Sequence, residues 1–390
     1  MMATRLAGVV GSKGKGTAVL YAAATLAAAG LRVGTITGPG LRSSRDRIRI
    51  DGTALAPEDY RALSRLAASA IEALPPQSRR PADYVSPSGL YVLAGVRFLT
   101  DRCDVIVAEA GIGGASDELS LLPLGHLAVT SVFAEHGALL GSTVPEIAAE
   151  KLGAAGPCTR RILYLANHDA GSRSALRVAA DRRAADLGIP AVPVRSSAQA
   201  SSLGIPMPYG FGAGNAALGI ALGQTMAEGL GIPPPSSCAL GGVLATVRHP
   251  GRCTAHRMGE AGGVVVDAAV SGEGLSSALA YAREAFGGEP DRILVCLPQD
   301  KDLAGFSRQL APVRERVVWM TLPASHLVCG PRPAWAGSEA ALDGLRGLLT
   351  SGNVLVVGTA LFVGDVLGAL GVSTETLFTP PSRVSPSIRR

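Results

Sequence analysis

The stretch Gly11-Ser12-Lys13-Gly14-Lys15-Gly16-Thr17 decides the fold. It follows the apolar run Leu6-Ala7-Gly8-Val9-Val10 and leads into an alanine-rich helical stretch, 18–29. A strand, a glycine-rich turn and a helix in that order make a phosphate cradle. Glycines let backbone N–H groups converge on anionic oxygens, and the helix N-terminus adds partial positive charge. Lys15 can reach terminal phosphates, and Thr17 can offer a hydroxyl to Mg²⁺. Gly16 follows Lys15, so the hydroxyl arrives one place later than in the ordinary Gly-Lys-Ser/Thr ending. The plain alternative is a tight strand-to-helix turn with a solvated lysine.

Outward from this loop, strand-like and helix-like runs alternate. Apolar strands are expected at Leu6–Val10, 32–37, Val105–Glu109, 127–132 and Arg161–Leu165. Helical stretches are expected at 57–74, 88–100, 144–151 and 172–187. Short continuous apolar strands between helices predict a doubly wound, mainly parallel sheet. The segment 196–214 reads as loops, and 214–227 as a helix ended by Gly229 and Pro233-Pro234-Pro235. A second, smaller Rossmann-like α/β series has strands expected at 263–266, 292–297, 316–320 and 353–357. The expected division is therefore an ATP-binding domain over 1–250, a C-terminal domain over 251–374, and a disordered tail over 375–390.

The bulk numbers agree with this plan. A chain of 390 residues suggests two domains. With 47% hydrophobic and 17% charged residues it can fill both cores. Net charge is +5, mild for this length, and no aromatic–basic interleaving supports nucleic-acid binding. The six cysteines form no Cys-x-x-Cys pair, so neither a zinc site nor a disulfide framework is indicated. The run 18–31 is too short to span a membrane, and no signal peptide is evident. These features point to a cytoplasmic protein, monomeric or weakly self-associating, with a protein partner left open.

The order of further motifs resembles the folylpolyglutamate synthetase-type ligases of the Mur ligase superfamily, over roughly residues 5 to 370. The Gly-Lys-Gly-Thr loop is that family's variant. Next come Val33-Gly34-Thr35-Ile36-Thr37 and Asp46-Arg47-Ile48-Arg49-Ile50-Asp51-Gly52. Glu109-Ala110-Gly111-Ile112-Gly113-Gly114 with Asp117, Glu135-His136, and Glu150-Lys151-Leu152-Gly153 follow. Then come Gly214-Asn215-Ala216-Ala217, His249-Pro250-Gly251-Arg252, Asp267, Asp300-Lys301-Asp302 and Gly358-Thr359-Ala360-Leu361.

The resemblance implies an ATP-dependent ligase that activates a small-molecule carboxylate for attack by an amine. Carboxylate is a poor electrophile, and phosphorylation by ATP to an acyl phosphate makes it reactive. The family pattern puts Gly11, Ser12, Lys13, Gly14, Lys15, Gly16 and Thr17 on the phosphates. It puts Asn215 on the adenine, Arg252 on a phosphate, and Asp267 on the ribose or another part of the nucleotide. It gives one Mg²⁺ to Thr17 and Glu109, and a second to His136 and a carbamylated Lys151. Lys15, His136 and Lys151 are thus the implied catalytic residues. Each has a plain alternative. Glu109 or Asp267 could cap a helix or pair with a base, and His136 could be structural. Lys151 could be a solvated helix lysine, Asn215 an N-cap, and Arg252 a surface ion-pair partner.

Several motif positions depart from the family. Gly38-Pro39-Gly40 stands where the family has Ser-Pro-His, whose serine helps bind Mg²⁺. Ala115 replaces an arginine, Val270 replaces a histidine near the transferred phosphate, and Phe211-Gly212 stand where a glutamine is expected. The short lead before the first strand and the short 151–215 stretch predict a non-folate carboxylate of specialised biosynthesis over folate itself. A folylpolyglutamate or dihydrofolate synthetase is the alternative, and a non-catalytic nucleotide-binding partner protein the third reading.

Overall fold

Every residue of Leu6–Val10 is buried, and the run forms strand β1 of an eight-stranded sheet. The computed structural model describes residues 3–73, 86–166, 170–195, 207–257, 262–322, 329–350 and 352–382. Two compact units emerge. Unit 1 holds residues 1–38, 45–248 and 375–390, and unit 2 holds 39–44 and 249–374.

In unit 1 the strands are β1 Leu6–Val10, β2 Val33–Ile36, β3 Ile48–Ile50, β4 Thr53–Ala54, β5 Val105–Glu109, β6 His126–Val129, β7 Arg161–Leu165 and β8 Ala191–Val194. Their order is β4-β3-β2-β5-β1-β6-β7-β8. All pairings from β2 to β8 are parallel, and β3 and β4 form an antiparallel edge. The helices are α1 Lys15–Ala28, α2 Pro57–Glu72, α3 Pro87–Thr100, α4 Gly137–Leu140, α5 Val144–Leu152, α6 Ala170–Leu187, α7 Phe211–Gly229 and α8 Ser237–Leu244. Ala7 and Val9 of β1 enter one core with α1 and α7, while Leu6 and Val10 enter another with α3 and α5. The sheet is therefore covered on both faces, as its continuous apolar strands require.

Small residues set the distance between α1 and α7. A Cβ at Gly219 would overlap the Ala18 carbonyl, and one at Gly223 would lie 2.8 Å from the Ala22 carbonyl. The alanine and glycine content thus permits close approach of two helix backbones.

Residues 375–378 correct the expected tail. The Ala54 amide donates to the Glu375 carbonyl at 2.8 Å, and the Leu377 amide to Gly52 at 3.0 Å. The guanidinium of buried Arg49 donates to the Glu375 carbonyl at 2.8 Å. Phe378 is 1% exposed and packs in the α1–α7 core. The Ser, Pro and Arg content of this end hid one aromatic anchor. Residues 383–390, like 196–206 of the expected loop segment, lie outside the described residues. Phe378→Ala should cost about 3–5 kcal/mol of stability, read as a lower urea midpoint. An unchanged midpoint would show that the return segment adds nothing.

His126 opens β6 and is buried, and its Nδ1 has no hydrogen-bond partner among the described residues. Burial, helped by Arg161 and Arg160, lowers its pKa to about 4. The folded state therefore resists a proton that the unfolded chain accepts near pH 6.5. This contribution is complete above about pH 6.5 and fades as pH falls through 4, by up to about 3 kcal/mol. Urea unfolding across that range should show a shallower acid loss for His126→Leu; parallel profiles would refute the assignment.

In unit 2 the strands are β9 Thr254–Arg257, β10 Gly263–Asp267, β11 Arg292–Cys296, β12 Val317–Thr321, β13 Ser338–Ala341 and β14 Val354–Gly358. Their order is β13-β12-β11-β14-β10-β9, parallel except for antiparallel β9. Helices α9 Gly272–Phe286, α10 Leu303–Leu310, α11 Leu345–Leu349 and α12 Ala360–Ala369 accompany them. Trp319 and Trp335 meet edge to face at 5.5 Å in one core. Leu41, from the short 39–44 insertion, packs in the other core. Gly364 has no Cβ because one there would overlap the Leu41 carbonyl. Among the described residues, no helix is long and apolar enough to cross a membrane.

Candidate active site

Strands β5, β1 and β6 lie side by side and parallel, so the segments that follow them emerge at one edge of the sheet. This edge gathers the glycine loop, Glu109 and residues 130–136. Ligands collect at such carboxyl ends because helix N-termini and free loops face outward there.

The loop is pinned on the β6 side. The Ser12 amide donates to the Ser131 carbonyl at 2.7 Å, and the Ser131 hydroxyl donates to the Lys13 carbonyl at 3.1 Å. A Cβ at Gly11 would overlap the Thr130 hydroxyl, so glycine is required for the close approach. Gly14 has φ +90° and caps α1, and a Cβ there would overlap the Asn215 amide.

Lys15, the first residue of α1, donates to the Gly11 carbonyl at 3.0 Å and lies 4.0 Å from Glu109 Oε1. Glu109 Oε2 accepts from the Gly38 amide at 3.2 Å. Thr17 is buried within the first turn of the same helix. A hydroxyl and a carboxylate are hard oxygen donors suited to one Mg²⁺, which usually completes its shell with water and substrate phosphate. Lys13 has its ammonium 5.5 Å from the Phe211 ring centroid.

Asn215 lies inside α7, not at its cap. Its Nδ2 donates to the Phe211 carbonyl at 2.7 Å, while its buried Oδ1 has no partner among the described residues. That unused acceptor beside the loop fits an amino group of a bound base. The N-cap alternative falls.

Lys151 is not a solvated lysine. Its side chain is 0% exposed, 2.9 Å from Glu135 Oε1, and donates to the Ile112 carbonyl at 2.9 Å. Burial lowers its pKa, the Glu135 carboxylate opposes that shift, and Lys15 adds to it. His136 is exposed at φ +45° and precedes α4. Among the described residues, no three His, Cys, Asp or Glu side chains converge on a metal position. An ammonium repels a cation, so His136 and Lys151 as they stand do not suit a second Mg²⁺.

The double glycine serves α5. A Cβ at Gly114 would overlap the Lys151 backbone. Glu150 accepts from the Ser116 amide at 2.8 Å, the Ser116 hydroxyl at 2.6 Å and the Gly114 amide at 3.3 Å. Burial pushes its pKa up, but these donors hold it below the usual carboxylate range. The Glu150-Lys151 step therefore has two jobs: one side chain fixes the 114–116 turn, and the other enters the interior.

The remaining residues fall in unit 2. Asp267 ends β10 and accepts from the Cys253 amide at 2.8 Å, while Ser271 caps the following helix. Cys253 has φ +47°, and the Ala268 amide donates to the Gly251 carbonyl at 3.0 Å. The Pro250-Gly251-Arg252 turn is thereby tied to the end of β10, with Arg252 exposed. Glu135, as the partner of Lys151, and Arg47 beside Glu109 carried no role from sequence. Only contacts between distant segments mark them.

No family model matches the sequence. The dihydrofolate synthase/folylpolyglutamate synthase of Bacillus subtilis is 30% identical over 149 residues, 37% of this chain and 34% of that protein. The folylpolyglutamate synthase of Lacticaseibacillus casei is 26% identical over 338 residues, 81% of this chain and 76% of that one. The match spans only 17%, 34% and 17% of the length of three such relatives. The Mycobacterium tuberculosis folylpolyglutamate synthase, solved with ADP and AMPPCP, superposes with a TM-score of 0.77 at 20% identity, covering 95% of this chain and 92% of that one. The fold is that of the folylpolyglutamate synthases. The likeness to folylpolyglutamate synthases inferred from the ordered motifs thus holds in sequence and in three dimensions.

Proposed function

We propose that the protein is an ATP-dependent, amide-forming ligase of the folylpolyglutamate synthase type. The observation that carries this reading is the glycine loop closing over the ends of β1 and β5, with Lys15 4.0 Å from Glu109. Lys15 and the loop amides hold the β- and γ-phosphates, and the free acceptor of Asn215 takes the base. Thr17 and Glu109 hold Mg²⁺, which supplies charge neutralisation to the phosphates. The carboxylate takes the γ-phosphoryl group to give an acyl phosphate, and an amine displaces phosphate from it.

The sequence departures predicted a non-folate carboxylate. The similar proteins lend that no support, and the folylpolyglutamate or dihydrofolate synthetase alternative fits their names better. The acceptor is accordingly proposed to be a folate-class carboxylate and the amine an amino acid. Purified protein with MgATP, tetrahydrofolate and L-glutamate should release ADP and form the glutamyl amide; dihydropteroate should be tested in parallel. Nucleotide binding with no turnover on either acceptor would favour the partner-protein reading.

A carbamylated Lys151 is part of the proposal. Burial favours its neutral amine, the form that attacks CO₂. The product carries negative charge beside Glu135, and that pair of anions, with His136 adjacent in sequence, suits a second Mg²⁺ where the ammonium does not.

A further inference from the structure

Glu109 sits between two cations, and only one of them belongs to the phosphate loop. Lys15 faces its Oε1, while its Oε2 is held by the Gly38 amide. Arg47 lies over Gly38, with Nη2 3.4 Å from where a Cβ at that position would stand. The back of the guanidinium is fixed. Nε donates to the Thr37 carbonyl at 3.3 Å, and the ring of Tyr91 lies 4.2 Å from the guanidinium carbon. The Tyr91 hydroxyl is hydrogen-bonded to that of Tyr60. Among the described residues, neither terminal nitrogen of Arg47 has a hydrogen-bond acceptor or an ion-pair carboxylate.

A guanidinium with its face and Nε occupied presents its two terminal nitrogens as a fork, the geometry that matches a carboxylate. We propose that Arg47 binds the reacting carboxylate of the acyl substrate and holds it for phosphoryl transfer. The inference rests on the ligase reading above. Phosphorylating a carboxylate brings two anions together. Lys15 is tied to the phosphate loop through Gly11, so the acceptor needs a cation from elsewhere. Arg47 supplies one beside the same carboxylate, Glu109. Absence of a side chain at Gly38, where the family has serine, leaves the fork uncovered. Tyr91 and Tyr60 are positioning residues that hold the plane of the guanidinium. In the transfer, a carboxylate oxygen forms the bond to the γ-phosphorus, the bond to the β,γ-bridging oxygen breaks, and ADP leaves with that electron pair.

The test is steady-state kinetics with tetrahydrofolate, L-glutamate and MgATP for wild type, Arg47→Gln and Arg47→Lys. Calorimetry with AMPPCP reads nucleotide binding and folding in each. Arg47→Gln should raise KM for tetrahydrofolate by about tenfold or more, with KM for ATP and AMPPCP affinity within about twofold of wild type. Arg47→Lys should fall between, because it keeps the charge and loses the fork. An unchanged KM for tetrahydrofolate would overturn the proposal. So would a parallel rise in KM for ATP, which would place Arg47 on the phosphates or on Glu109. No turnover in the wild type itself is a different outcome: it removes the ligase reading, and the inference with it.

Discussion

Lys15→Ala should lower ATP turnover by about two to three orders of magnitude and abolish calorimetric binding of a non-hydrolysable ATP analogue with Mg²⁺. The reason lies in what else the loop can offer. Lys15 places its ammonium on the Gly11 carbonyl inside the loop, whereas that of Lys13 lies 5.5 Å from the Phe211 ring centroid. The backbone amides bind phosphate oxygens but do not move with the charge that develops as the γ-phosphoryl group leaves. Stability should barely change, because the partners of Lys15 are a carbonyl on its own loop and a carboxylate 4.0 Å away. A melting temperature near wild type with lost binding would separate chemistry from folding. Full binding in the variant would reduce the loop to a strand-to-helix turn.

Much of this was legible in the chain because local signals carried it. Continuous apolar strands have no polar face to confuse their assignment, so β1, β5 and β7 were readable to the residue. The glycine loop is a local motif as well, since strand, turn and helix adjoin in sequence. The edge strands β4, β8, β9 and β13, and β3 beside β4, were not seen. They are short and partly exposed, and pairing with neighbours defines them more than composition does. Phe378 was missed for a related reason: a single aromatic in a Ser- and Pro-rich end gives no periodicity, and only the tertiary fold shows the pocket it fills. Within the site, Lys15 and Glu109 could be chosen by motif. The roles of Gly38 and Arg47 beside Glu109, and of Glu135 beside Lys151, could not, because each comes from a distant segment brought near by the sheet order. The fate of Lys151 illustrates the limit. A lysine in a helix reads as solvated, and its burial depends on Gly114 letting the 112–116 turn press against α5.

That buried lysine gives the second large effect. Lys151→Ala should abolish measurable turnover, a loss of at least about a hundredfold, and added bicarbonate should not restore it. The ammonium has no exposed surface, and burial and Lys15 both favour its neutral form while Glu135 opposes them. A neutral amine that attacks CO₂ forms a C–N bond and releases one proton, so the side chain that was a cation as the ammonium becomes an anionic carbamate. Beside the Glu135 carboxylate, 2.9 Å from Nζ, the new anion is unfavourable unless a cation joins the two. The ammonium–Glu135 pair and the carbamate with Mg²⁺ are thus two alternative neutralisations of one position. Alanine supports neither, and bicarbonate finds no amine to attach to. ¹³C NMR of protein equilibrated with labelled bicarbonate should show one carbamate resonance in the wild type, strengthened by Mg²⁺ and missing in the variant. Lys151→Met retains most of the volume. Because removing one partner of a buried pair leaves the other charge uncompensated, Lys151→Met is combined with Glu135→Gln, and this double variant should keep a near-wild-type melting temperature while losing both signal and turnover. Full activity in Lys151→Ala would leave Lys151 as a structural partner of Glu135, and would withdraw the second metal from the site.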